Sequence, residues 1–405
     1  MLFLARTGVS YGAMLVDDTS SEGLFSWIEQ VLQNGDADAA FERLADRLRR
    51  EKQYRLLFDA RLMKKRLELG LPLVAQPTLA ELPKDIQQPY QDGYVQAARE
   101  VGELYLADGN IPRAWTYLRA VGATHTIVQA LDAFEIPEPD TPETQDLLSS
   151  TIQIAFQEGL NPRRGFELIL KHYGICRAIT MFSAYPAQDG RGESLRLLVR
   201  TLHGEIVNNL KRAISAVEGE AQESNSIAAL IAGRDWLFEN NAQHTDSSHI
   251  PTVLRFSAEL DDQAALSLAV EIADYGSHLG PMFHYEEDPP FDRVYEDRGV
   301  YLRALLGQDT DGAVKHFEEK AAGSNLDRDG NRPAEVLVEL LVRLKRFDEA
   351  LDAFRRYLSD VAPEDLSCPS LLQLCQMAGD FEQLKQVAKE QSDPLSYLAA
   401  LLQSR

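Results

Sequence analysis

Apolar residues recur at three- and four-residue intervals along nearly the whole chain, and this spacing limits the possible folds more than any other feature. In PAEVLVELLVRLKRFDEALDAFRRYL, Val336, Leu337, Leu340, Leu341 and Leu344 share one helix face. The pattern breaks at Lys345 to Phe347, and Ala350, Leu351, Phe354 and Leu358 then mark the inner face of a second helix. Alternating β-branched runs bounded by hairpin turns are hard to find. The expectation is an all-α fold.

The paired phrase returns elsewhere. In VQAAREVGELYLADGNIPRAWTYLRAVG, Gly102, Tyr105, Ala114 and Leu118 fall at small, aromatic, small and large positions. Ala313 and Phe317 sit as Ala350 and Phe354 do, 37 residues earlier. NGDADAAFERLADRL, with Ala40 and Leu44, and AGDFEQLKQVAKE, with Phe381, Leu384 and Ala388, read as second helices of further units. The small residue lets two helix axes approach where a larger side chain would hold them apart. Such hairpins resemble the tetratricopeptide repeat, over about half the chain. The resemblance implies a right-handed superhelical α-solenoid of helix hairpins, irregular in its middle third. Three departures stand against it: the family's early Trp is absent from the clear units, spacings wander from about 34 residues, and ESLRLLVRTLHGEIVNNLKRAISAVEG reads as one long helix.

Breaks are expected at 134–144, with four acids and three prolines, at 185–193, YPAQDGRGE, and at 240–251, NNAQHTDSSHIP. The expected organisation is an N-terminal tail 1–22, helical repeats 23–133, an irregular helical block 145–273, a non-helical aromatic and acidic link 274–299, and C-terminal repeats 300–405.

Charge and composition narrow the function classes. No window approaches the roughly 18 apolar residues of a membrane span, so no membrane partner is expected. Arg6 interrupts the short apolar start, so no signal peptide is expected, and Met14 is an alternative start. Three cysteines and no CxxC pair fit a reducing compartment and argue against a zinc knuckle, so the chain reads as cytoplasmic. A net charge of -22 works against binding a polyanion and favours a basic partner. One region dissents: Phe41 to Arg66 holds ten Lys or Arg against four acids, with Arg43, Arg47 and Arg50 on one helix face. Such a run is either a solvated face or a docking site for an acidic partner or nucleic acid, of which nucleic acid is not the favoured reading.

Several stretches carry candidate chemistry. Asn325, Asp327, Asp329 and Gly330 match the first half of an EF-hand loop, but Arg332 and Val336 stand where an aliphatic residue and the bidentate acid belong. That stretch reads as a turn, followed by a helix begun at Pro333. His244, His249, His278 and His284 cluster in sequence without the HExxH spacing of a zinc site. Cys368 and Cys375 read as core thiols two turns apart on one helix, and GRG at 190–192 as a turn. No metal, cofactor or catalytic residue is assigned.

The richest stretch is FHYEEDPPFDRVYEDRG. Between Asp274 and Gly299 there are seven acids, two arginines and five aromatics, and Pro289 with Pro290 excludes a continuous helix. It reads first as a structural corner whose aromatics pack between helix pairs. The corner is the favoured reading; the second is a ligand or partner site, on Tyr285, Glu286, Phe291, Asp292 and Tyr295. The function expected from the resemblance is an interaction scaffold that binds a protein or peptide without chemistry of its own. The alternative is an enzyme or small-ligand receptor with a pocket of His, Tyr and acidic residues in 244–298.

Overall fold

The structure, a computed structural model, describes residues 21–74, 78–185, 189–220 and 222–404. Most of the N-terminal tail, including Arg6 and Met14, lies outside the described residues. Among the described residues the regular elements are helices and there is no strand, so the chain is all-α. It divides into two units between Asn161 and Pro162.

The first unit holds α1 (Ser21–Gln33), α2 (Ala37–Arg50), α3 (Tyr54–Glu68), α4 (Lys84–Ala107), α5 (Ile111–Leu118), α6 (Thr124–Ala133) and α7 (Pro142–Ile152). Helix starts follow the capping residues: the Asp36 carboxylate accepts from the Ala39 amide, and the Asn110 side chain accepts from the Arg113 amide. Successive helices pack on one another, α2 on α3, α3 on α4 and α4 on α5. At the last of these crossings a Cβ on Gly102 would lie 2.4 Å from Leu118 Cγ. The small residue there is required by close approach, as the spacing predicts, and Ala114 and Leu118 are buried beside it. The core of Ala45, Leu48, Tyr54, Leu57, Ala60 and Val101 includes Leu44 and Tyr105 at its margin. The stretch 134–144 joins α6 to α7, with Pro142 in the first turn of α7.

The second unit holds α8 (Pro162–Ser183), bent at Gly174, α9 (Arg191–Glu218), α10 (Ile227–Ile231), α11 (His249–Ser257) and α12 (Gln263–His278). There follow α13 (Val294–Leu305), α14 (Thr310–Gly323), α15 (Leu326–Asp329), α16 (Arg332–Arg343), α17 (Phe347–Tyr357), α18 (Leu371–Ala378), α19 (Phe381–Glu390) and α20 (Pro394–Gln403). The long helix expected in the middle third is α9, of 28 residues. From α16 onward the helices pack as neighbours in chain order. Ala313, Phe317, Val336, Leu337, Leu340, Leu341, Ala350, Leu351, Phe354 and Leu358 form one buried core. Burying a single large apolar side chain such as Phe317 contributes about 1.5–3 kcal/mol, so this inner face outweighs local propensity in holding the hairpins.

Two boundaries differ from the sequence reading. Asp274–His278 end α12 and Val294–Gly299 begin α13, so the link without α-helix is 279–293 rather than 274–299. The apolar stripes of both neighbouring helices simply continue into it. Cys368 and Cys375 are both buried, but α18 begins at Leu371, which puts Cys368 in the preceding loop. Burial foremost, with Glu335 and Glu339 adding to it, pushes the Cys368 thiol up to about 12.

Candidate functional site

The 279–293 link is built first as a corner. A Cβ on Gly276 of α12 would meet the Tyr295 ring at 2.4 Å, so that ring on α13 lies directly on the α12 backbone. The Tyr295 hydroxyl donates to the Phe283 carbonyl at 2.7 Å, and burial raises its pKa. Tyr285 hydrogen-bonds Ser247 through the two hydroxyls at 3.0 Å. Phe291 is buried, edge-on to Phe317 and Tyr301. Beneath the link, the fully buried Asp297 accepts from the Arg293 amide at 2.8 Å, from Lys320 at 2.7 Å and bonds His316 Nε2 at 2.8 Å. Lys320 also reaches Asp292 at 2.6 Å; burial raises the Asp292 pKa, but the ammonium outweighs it and the net shift is downward.

The same link is the wall of two clefts. One, of about 940 Å³, is lined by Glu286 to Pro289 and Phe291, by the end of α11, by Arg298 and Tyr301 of α13, by α16 and by Pro369. The other, of about 910 Å³, lies against Glu286 to Pro289, Asp292, Lys320 and the turn before α16. Of the five expected site residues, Glu286 borders both clefts, Phe291 the first and Asp292 the second. Tyr285 and Tyr295 line neither; they anchor the corner.

The first cleft brings four guanidinium groups together with the carboxylates of Glu259, Glu286, Glu287, Asp288 and Glu339, of which Glu259, Glu287 and Glu339 are bound to Arg191, Arg298 and Arg332. Arg298, whose side chain is 8% exposed, lies over the Phe291 ring with 3.4 Å to its centroid and donates through Nη2 to Glu287 at 2.9 Å. Among the described residues its Nε is buried with no hydrogen-bond partner. Desolvation lowers the Arg298 pKa, against the pull of Glu287. Arg332 donates to Glu339 at 2.9 Å and to the Ser367 hydroxyl at 2.8 Å. Burial raises the Glu339 pKa, more than Arg332 lowers it. Arg343 donates to the carbonyls of Ala258 and Leu260, and Arg255 stands by the Phe256 ring. Among the described residues neither Arg343 nor Arg255 has a carboxylate partner. Apolar surface from Phe256, Phe291, Tyr301, Val336 and Val342 lies between these charges.

These arginines and the Asp297 cluster were missed by reading motifs. A signal was present: Val294, Tyr295, Tyr301 and Leu302 form a helical stripe, and Asp297 and Arg298 fall inside it. Charged residues at buried-face positions need partners and mark a network or a site.

The other candidates resolve locally. The Asn325 amide donates to Asp329, Arg328 pairs with the same carboxylate at 2.7 Å, and the stretch forms a helical turn before α16. The backbone amide of His244 donates to Tyr275, His278 bonds the Asp274 carbonyl, and His284 the Leu279 carbonyl. Among the described residues no three His, Cys, Asp or Glu side chains converge as a metal site would require. Of the expected GRG turn only Gly190 precedes α9; Arg191 is the first residue of that helix and a brace, bound to Glu259 at 2.7 Å and to the carbonyls of Phe182 and Tyr185. The basic run is largely matched from within its own unit: Arg61 and Lys64 reach Glu42, Arg49 and Arg61 reach Glu100 of α4, and Lys52 reaches Asp108. No described helix is long and apolar enough to cross a membrane. Comparison with known proteins finds no family model, no curated protein and no solved structure that matches the chain.

Proposed function

We propose that this chain is an interaction scaffold, an α-helical repeat protein similar to the tetratricopeptide family, whose hairpins stack as a superhelical solenoid. It works by burial without chemistry of its own, in a reducing, cytoplasmic setting. The observation that carries the reading is the cleft of about 940 Å³ lined by α11, α13, α16 and the 286–291 strip. Its long, mixed apolar and charged lining suits an extended partner segment, with helix faces for its side chains and guanidinium groups for its polar atoms.

The test is affinity enrichment from native lysate with the intact protein and with Val342→Glu, which puts a charge on the half-buried cleft wall of α16. The expected result is a partner protein retained by the intact chain and lost by the variant at unchanged melting temperature. Retention by both proteins overturns this location. A second reading, a small-ligand receptor, draws on the arginines that meet in the cleft. Native mass spectrometry that finds a bound small molecule in place of a protein partner would favour it.

A further inference from the structure

Four arginines line the first cleft in a chain whose net charge is -22. The chain's own Glu287 shows how one of them is used. Its carboxylate meets Arg298 Nη2 at 2.9 Å while Phe291, four residues on, supports the face of the same guanidinium. An acidic residue and an aromatic one, here on either side of the Pro289–Pro290 turn closed by the Phe291 amide on the Asp288 carbonyl, are therefore groups this wall already accommodates. Beyond that pair the cleft keeps unspent capacity. Arg255 is exposed and without a carboxylate partner among the described residues. Arg343 spends its donors on two neutral carbonyls, and Arg298 Nε has no acceptor among the described residues. Guanidinium groups bind carboxylates with charge-assisted hydrogen bonds, and strongest where water is excluded.

We propose that the cleft takes an extended, internal acidic segment of a partner protein, whose side-chain carboxylate docks among Arg255, Arg298 and Arg343 with an apolar neighbour on the Phe256 and Val342 surface. This rests on the docking reading above and differs from the basic partner that net charge alone suggests. Short range decides between them. A carboxylate in contact with a guanidinium is screened little, whereas exposed charges more than about 8–10 Å away are largely screened at physiological salt. Glu286 and Asp288 also line the cleft, and they favour a segment with its acid on one side only.

The test uses the full chain and three fluorescein-labelled peptides, identical except for a central Glu-Glu-Phe, Gln-Gln-Phe or Lys-Lys-Phe, followed by anisotropy at physiological salt. The acidic peptide is expected to bind about tenfold tighter than its glutamine sister, the worth of one effective charge pair. Arg255→Gln, at an exposed position, is expected to remove that advantage and leave the glutamine peptide unaffected. Glu287→Gln keeps an acceptor for Arg298 but removes the competing charge, and is expected to tighten the acidic peptide. Preference for the lysine peptide, no response to Arg255→Gln, or no acidic binding at millimolar concentration overturns the proposal. If enrichment still depends on Val342 in any of those cases, the docking reading stands and only the acidic assignment falls.

Discussion

Asp297 is fully buried, yet its carboxylate receives the Arg293 amide and Lys320 and bonds the His316 ring. Removing one partner from such a set leaves the others desolvated and unmatched, at a cost of about 3–5 kcal/mol. Asp297→Ala should lose that much stability in urea titration. Asp292→Ala, at a carboxylate 52% exposed and also bound to Lys320, should lose no more than about 1 kcal/mol. Equal losses would mean that Lys320, not the buried carboxylate, holds the corner together. At this scale the sequence was half legible. The aromatics of the link could be read as anchors because Pro289 and Pro290 rule out a helix and leave the rings to find their own cover. The partners of Asp297 could not, since His316 and Lys320 come from α14 and only the crossing of α13 and α14 brings them near.

At the scale of elements, the basic helices α2 and α3 show what a charge count omits. The run from Phe41 to Arg66 is plain in the sequence, but its acid partners include Glu100, within α4, and Asp108, just beyond its end. Hairpin pairs were legible because periodicity and a small crossing residue are local; matched charges between non-adjacent segments are not. The match has a pH signature. Burial raises the Glu100 pKa, Arg61 and Arg49 lower it further, and the net is a carboxyl below its ordinary value. A lowered folded pKa gives stability that is present above the ordinary carboxylate range and lost as pH falls through the folded value. Unfolding free energy should therefore decline on acidification, and Glu100→Gln should flatten that decline while lowering stability at neutral pH. Denaturation series across acidic pH, read by circular dichroism, check this. A wild-type slope retained in the variant would assign the acid sensitivity to other carboxylates.

For the whole molecule, the division between Asn161 and Pro162 makes a stronger claim than the proline-rich stretches suggest. Those stretches mark where helices stop; a unit boundary also requires that each side bury its own core. The residues do so separately, around Leu57 and Val101 on one side and around Phe317 and Leu340 on the other. Fragments 21–161 and 162–405 should each be helical and unfold cooperatively when made alone. Every residue that lines the first cleft lies from Arg255 to Pro369. The longer fragment should accordingly keep the acidic-peptide affinity of the intact chain within about twofold, a difference of only ~0.4 kcal/mol. Cooperative unfolding with lost affinity would show that the cleft takes its shape from the first unit as well. Loss of cooperativity would show that the two cores stabilise one another, and the unit boundary would then describe packing density rather than folding.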